Sequence, residues 1–379
     1  MQRPVVFVLV LASLLALAAC AAEEKEAPAA TSPPAAESRP AWEQEWEQIL
    51  AAARREGKVV VGGPQSDENR RALTDPFQKR YGITVEYQGL GGPEFPPRLK
   101  AERDAGQYLW DIFIGGSTTV ITALKPMGAV DPILPALVLP EVKDPKYWRE
   151  GRFIFADKDQ MNLVMTPITT LTLYVNPNLA KAEDFKSWRD FLDPRWKGKI
   201  VVARDPRVAG PGQATFQFFY MHKDLGPDFI RALARQEMGI LRDDRQSLEF
   251  LAQGRYSVLM GGNIYLAAEL MEKGLPIKPV DPRQMREGAY LSVGSGSVVL
   301  LNKAAHPNAA RVYLNWLLSK EGQTEFSRST TWPSWRADVP TEHVDSRTIP
   351  EPRFIATYTE EAIAARDPLV ALLKEVLGD

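Results

Sequence analysis

The chain has 379 residues, 45% of them hydrophobic and 25% charged, with a formal net charge of −2. So even a balance gives no global electrostatic case for nucleic acid, and a single cysteine excludes an intrachain disulfide framework. The length exceeds what one hydrophobic core ordinarily serves, so two lobes are expected.

Residues 5–19, VVFVLVLASLLALAA, form an apolar run preceded by Arg3. A span of the hydrocarbon core takes roughly 20 residues. The shorter run therefore reads as the h-region of a signal peptide covering 1–19. Leu17-Ala18-Ala19-Cys20 resembles a bacterial lipobox, which implies lipidation at Cys20; an ordinary secretory signal is the alternative. From 21 to 41, Ala, Glu, Pro and Ser dominate and no large apolar residue occurs. Such a stretch cannot bury enough surface to offset the entropy of ordering it. With Cys20 it reads as a flexible tether of roughly 25 Å r.m.s. reach.

The remaining chain alternates helical and extended patterns. Trp42, Trp46, Ile49, Leu50 and Ala53 share one helical face, which Gly57 ends. A buried strand over 58–61 runs into the Gly62-Gly63 turn, followed by a helix over 67–81 and a strand over 83–87. A helix over 95–105 precedes a strand over 110–114 and the turn Gly115-Gly116-Ser117-Thr118. A strand over 171–175 ends at Asn176-Pro177. A second set then starts: a helix over 185–192, a strand over 199–203, and the turn Arg204-Asp205-Pro206. Gly210-Pro211-Gly212 opens a helix over 213–222; a helix over 227–235 and a strand over 256–260 follow, the strand ending at Gly261-Gly262-Asn263. Finally come a strand over 296–301, a helix over 307–319 with Pro307 in its first turn, a proline-rich stretch from 331, and a helix over 354–377. Helix–strand alternation with short turns predicts α/β architecture, with mostly parallel sheets covered on both faces.

Four segments in order resemble the ferric-iron-type branch of extracellular solute-binding proteins of ABC importers. They are AAARREGKVVV at 51–61, FQKRYGITV at 77–85, DPRWKGKI at 193–200, and HPNAA at 306–310 continuing to LLSKEGQ at 317–323. The resemblance implies a two-lobed periplasmic-binding-protein-like fold of class II. Mixed, mostly parallel sheets are flanked by helices, and the ligand cleft lies between the lobes. It implies lobe 1 from 42–173 plus 287–330, and lobe 2 from 174–286 plus the tail 331–379. The expected partners are a small-molecule or ion ligand, an ABC permease and the lipid anchor at Cys20, for a monomer exported to the outer face of the cell membrane or the periplasm. Hinges are expected at 174–177 and 290–295.

In open α/β sheets ligands sit beyond the carboxyl ends of strands, where helix N-termini present free N–H groups. The candidate ligand-binding residues are accordingly Gln65, Ser66, Gly116, Ser117, Thr118, Arg204, Gly212, Asn263, Tyr265 and Tyr290. The Ser117 and Thr118 hydroxyls suit a carboxylate or phosphonate, and Arg204 suits a bidentate clamp on it. Ferric binders of the family use adjacent tyrosines, because phenolate oxygens are hard donors for Fe(III). This chain has no Tyr-Tyr pair, so no metal site is expected and a small organic anion is the favoured cargo. If iron or an iron chelate is bound instead, Tyr174, Tyr265 and Tyr290 are the candidate ligands. No cofactor is expected and no catalysis: H-E-x-x-H, C-x-x-C and a Walker loop are all missing from the sequence, and Gly294-Ser295-Gly296-Ser297 does not fit G-x-S-x-G. A secreted hydrolase and a ligand-sensing receptor lipoprotein are the alternatives.

Overall fold

Two β-sheets, each with its own core, organise the chain in a computed structural model that describes residues 39–378. The signal run, Cys20 and the tether up to residue 38 lie outside the described residues. No described helix is long and apolar enough to cross a membrane.

The first sheet orders its strands Thr84–Gly89, Lys58–Gly63, Ile112–Gly115, Ser297–Leu301 and Val130–Asp131, with Leu163–Val164 also paired to Ser297–Leu301. Its first three strands are parallel, and Ser297–Leu301 runs against them. Val59 and Val61 are fully buried on one face, with Phe77, Tyr313 and Trp316. These three rings meet at centroid separations of 5.0–5.4 Å. On the opposite face Phe95 stacks on Phe113 at 4.3 Å. The helix Asp67–Tyr81 has the predicted bounds for local reasons. The Ser66 hydroxyl accepts from the Asn69 N–H at one end, and Gly82 takes a left-handed φ of 67° at the other.

The second sheet orders Lys278–Pro279, Leu173–Val175, Val258–Met260, Ile200–Val202 and Gly239–Ile240. The last three strands are parallel and the first two antiparallel to their neighbours. Its core gathers Phe185, Trp188, Phe191, Phe216, Phe218 and Phe219.

A third, small sheet joins the two halves. Ile168–Thr169, Tyr290–Ser292 and Ile355–Ala356 pair side by side, and the first two lie in the chain between strands of the two large sheets. Of the two expected hinges, 290–295 begins in this small sheet. The other, 174–177, begins inside the second large sheet; the corresponding crossing lies upstream at Ile168–Thr169.

The tail departs from the single helix expected over 354–377. Ile355–Ala356 is extended because it pairs with Tyr290–Leu291. The Thr359 hydroxyl then caps a new helix, Glu360–Ala364, and Arg366–Leu377 follows. Trp335 sits in the core of the first sheet, whereas Leu369, Leu372 and Leu373 sit in the core of the second. The expected helix over 185–192 is likewise shortened to a 3-10 turn, Trp188–Leu192, begun by a Ser187–Asp190 capping box.

Just before the second crossing, the buried Glu287 fastens that crossing to the second lobe. It accepts from the Ser187 hydroxyl at 2.7 Å, the Trp188 N–H at 3.0 Å and Arg286 at 2.8 Å. Burial pushes its carboxyl up, but these donors outweigh burial and hold it below the ordinary carboxylate range. A depressed folded pKa stabilises the fold in full above the unfolded value of about 4.3. That contribution is lost as pH falls through the folded value. Glu287→Gln is expected to lower stability by about 1–3 kcal/mol and to flatten the acid limb of stability against pH, read by denaturant melts between pH 7 and pH 3.

Candidate functional site

Two adjoining cavities open between the large sheets and share Tyr265, Gly294 and Trp332 as their common wall. The one toward the second sheet encloses about 290 Å³ and is lined by Thr170, Thr172, Pro211, Ala214, Asn263 and Tyr290, among others. The one toward the first sheet encloses about 470 Å³ and is lined by Gln65, Ser66, Asn69, Ser295, Ser329 and Thr330 as well. Three helices begin at these walls: Asp67–Tyr81 after Ser66, Pro211–Met221 after Gly210, and Ile264–Glu272 after Asn263. Their first N–H groups carry partial positive charge. No residue lining either cavity has a charged side chain.

The common wall is held by specific contacts. Gly294 has a φ of +49°, and a Cβ there would lie 2.9 Å from Cζ3 of the Trp332 ring. Trp332 follows Thr331, itself left-handed at φ 57°, and its carbonyl accepts from the Ser327 hydroxyl at 2.5 Å. Trp332 and Tyr265 stand side by side in this wall. Tyr265 is 56% exposed, an unusual position for a large aromatic and one that leaves its ring facing the cleft. Neither Trp332 nor the Thr170–Thr172 wall was singled out from sequence. An aromatic between a helix end and Pro333 was the one local signal available for Trp332.

Of the residues selected from sequence, Gln65, Ser66, Asn263, Tyr265 and Tyr290 line the cavities. The Asn263 carboxamide caps its helix, accepting from the N–H groups of Tyr265 and Leu266. The Tyr290 side chain is buried beside Thr170, Thr172 and Thr215, and burial pushes its phenol up against the opposing influence of those hydroxyls.

The others turn away from the cavities. Gly116 caps the short 117–119 helix, where a Cβ would lie 3.0 Å from the Gly294 carbonyl oxygen. Ser117 is buried with its hydroxyl 3.5 Å from that of Ser297, and the Thr118 hydroxyl accepts from Arg366 at 3.1 Å. Arg204 does not clamp the cleft. Its guanidinium pairs with Asp244 at 3.1 Å, in a separate pocket with Asp205 and Arg242. Gly212 serves packing: a Cβ there would overlap the Arg204 carbonyl oxygen and lie 2.7 Å from that of Ala203. Tyr174 is only 1% exposed and donates to the Leu171 carbonyl at 2.6 Å, with its ring against Gly262, so it offers no cleft-facing phenolate.

Among the described residues, one group of carboxylates has metal-like spacing, Asp157, Asp159 and Glu360. Its centre is taken by the Lys125 ammonium, 3.0 Å from Asp157, 2.9 Å from Asp159 and bonded to Glu360. Burial alone would lower the Lys125 pKa, but the three carboxylates outweigh it and keep the ammonium charged. The cluster is an ion-pair lock between the first lobe and the tail.

Residues 72–348 match a family model described as bacterial extracellular solute-binding protein. A Haemophilus influenzae protein described as uncharacterized is 24% identical over 280 residues, spanning 73% of this chain and 77% of its own. Among solved structures, ferric iron-binding protein A of Mannheimia haemolytica in an open conformation is similar with a TM-score of 0.67 at 14% identity, covering 85% of this chain and 99% of that one. The Trichodesmium protein IdiA (FutA) in complex with iron and citrate gives 0.62 at 18% identity, covering 85% and 100%. Iron-bound HitA from Pseudomonas aeruginosa gives 0.59 at 18%, covering 84% and 99%. These likenesses carry the two-lobed fold.

Gly212→Ala is expected to destabilise the protein by about 1–3 kcal/mol, because the obstructing atoms are backbone and cannot swing aside. A thermal melt of the variant checks this, and an unchanged midpoint would refute the packing role.

Proposed function

The chain belongs to the bacterial extracellular solute-binding protein family, the capture components of ABC importers, and on that premise we propose that it holds a small organic anion between its two lobes. The observation that carries this reading is the wall chemistry: three helix N-termini meet cavities with no carboxylate side chain among their lining residues. Such termini favour negative charge through aligned N–H groups, and a site without acids adds no repulsion. Capture needs lobes that close, and the ligand drives closure only through contacts made better in the closed state. The small three-stranded sheet is the element that flexes. Lipidation at Cys20 and the following tether keep the monomer beside its permease.

Ferric iron is the second reading, favoured by the iron-bound and iron–citrate-bound structures that this fold resembles. Two tyrosines, Tyr265 and Tyr290, line one cavity here. Burial raises the Tyr290 phenol, and partial desolvation raises Tyr265 against the opposing influence of Trp332. Neither phenol is poised to ionise, and no imidazole or carboxylate lines the cavities to complete a hard donor set.

A thermal-shift screen of the full chain in detergent, across carboxylates, phosphate esters, phosphonates and ferric citrate, tests the two readings. An organic anion is expected to raise the midpoint, because a ligand that binds only the folded state stabilises it by mass action. Fe(III) is expected to produce no visible tyrosinate-to-iron charge-transfer band. A coloured ferric complex that is lost in Tyr265→Phe would replace the anion reading with the iron reading.

A further inference from the structure

The two cavities differ in what they ask of a ligand. Toward the second sheet, two helix N-termini present the positive ends of their dipoles. Toward the first sheet several side-chain oxygens are left to accept. The Ser329 and Thr330 hydroxyls both donate to the Phe326 carbonyl, at 3.0 and 2.8 Å, which leaves the Ser329 oxygen to accept, while that of Thr330 already takes the Trp332 N–H at 3.3 Å. The Gln65 amide donates to Glu94 at 2.8 Å, which leaves its carbonyl oxygen. Asn69 is the decisive residue: it is 9% exposed, it lines this cavity, and its side-chain oxygen is buried with no hydrogen-bond partner. A buried acceptor left unpaired is costly, and a ligand that supplies the missing donor recovers that cost.

Resting on the anion reading above, we propose that the ligand is a hydroxylated organic anion. Its charged group lies under the N-termini of Pro211–Met221 and Ile264–Glu272, and its hydroxyls extend past Tyr265 and Trp332 to Asn69. A hydroxylated end is preferred to an ammonium because no lining residue carries a negative charge to compensate a cation. The Tyr265–Trp332 wall between the cavities offers flat ring surface to the carbon skeleton, the usual complement of an apolar face with fixed polar groups.

The test is a set of matched pairs: gluconate with hexanoate, and glucose 6-phosphate with hexyl phosphate, titrated calorimetrically into the full chain in detergent. Within at least one pair the hydroxylated member is expected to bind about tenfold or more tightly than its partner. Asn69→Leu is expected to remove that preference, bringing the hydroxylated member's affinity down to about that of its partner. Equal binding within both pairs overturns the hydroxyl subsite and leaves the anion reading standing. No binding by any of the four overturns both. If Asn69→Leu fails to fold, the wild-type ratios alone decide, and a wild-type preference that survives in a folded Asn69→Leu protein refutes the role of Asn69.

Discussion

The three segments that join the large sheets are hydrogen-bonded to one another, so none of them can bend alone. Tyr290–Ser292 pairs on one side with Ile168–Thr169 and on the other with Ile355–Ala356. The Thr170 hydroxyl and N–H both donate to the Tyr290 carbonyl, at 3.1 and 3.2 Å. In the proposed closure any change in cleft width is shared across this ribbon, so the three crossings move together. The cavity toward the second sheet lies against it, since Ile168, Thr170, Tyr290 and Ser292 form part of its wall. A ligand seated there touches the hinge itself, and capture and lobe movement become one event.

Charge is distributed in a complementary way. The strongly paired buried charges all brace the fold. Arg336, fully buried, bonds Asp338, Glu141 and the Leu318 carbonyl. Asp111 accepts from the Val60 N–H and meets the His306 ring at 2.9 Å. Lys125 locks the tail to the first lobe. The cleft is left with hydroxyls, amides, three aromatic rings and helix ends. A neutral wall of this kind selects by hydrogen-bond matching, where a missing partner costs more than a missing salt bridge at the surface.

The fold was largely legible because its signals are local. Ser66 and Gly82 bound one helix, Gly57 ends another with a φ of 79°, and the buried Val59–Val61 run marks the first strand. The tail was misread because Ile355–Ala356 is extended only by pairing with a strand some 65 residues away in sequence. The site was legible in part. A glycine-rich turn after a strand looks the same whether it faces a cleft or a neighbouring element. Ser117 and Thr118 face Ser297 and Arg366, the latter 248 residues away. Arg204 is claimed by Asp244, 40 residues on. The cleft itself draws on short stretches from Gln65 to Trp332, and no periodicity announces that Asn69, Thr170 and Trp332 will share a wall.

The central claim, that the cleft beside the Tyr265–Trp332 wall captures a small organic solute, is tested most directly by native mass spectrometry of the protein purified without added ligand. The account predicts a retained adduct of small organic mass, released by mild unfolding and lost from a folded Trp332→Ala variant. An adduct at the mass of iron, or an organic adduct that survives in that variant, would contradict it.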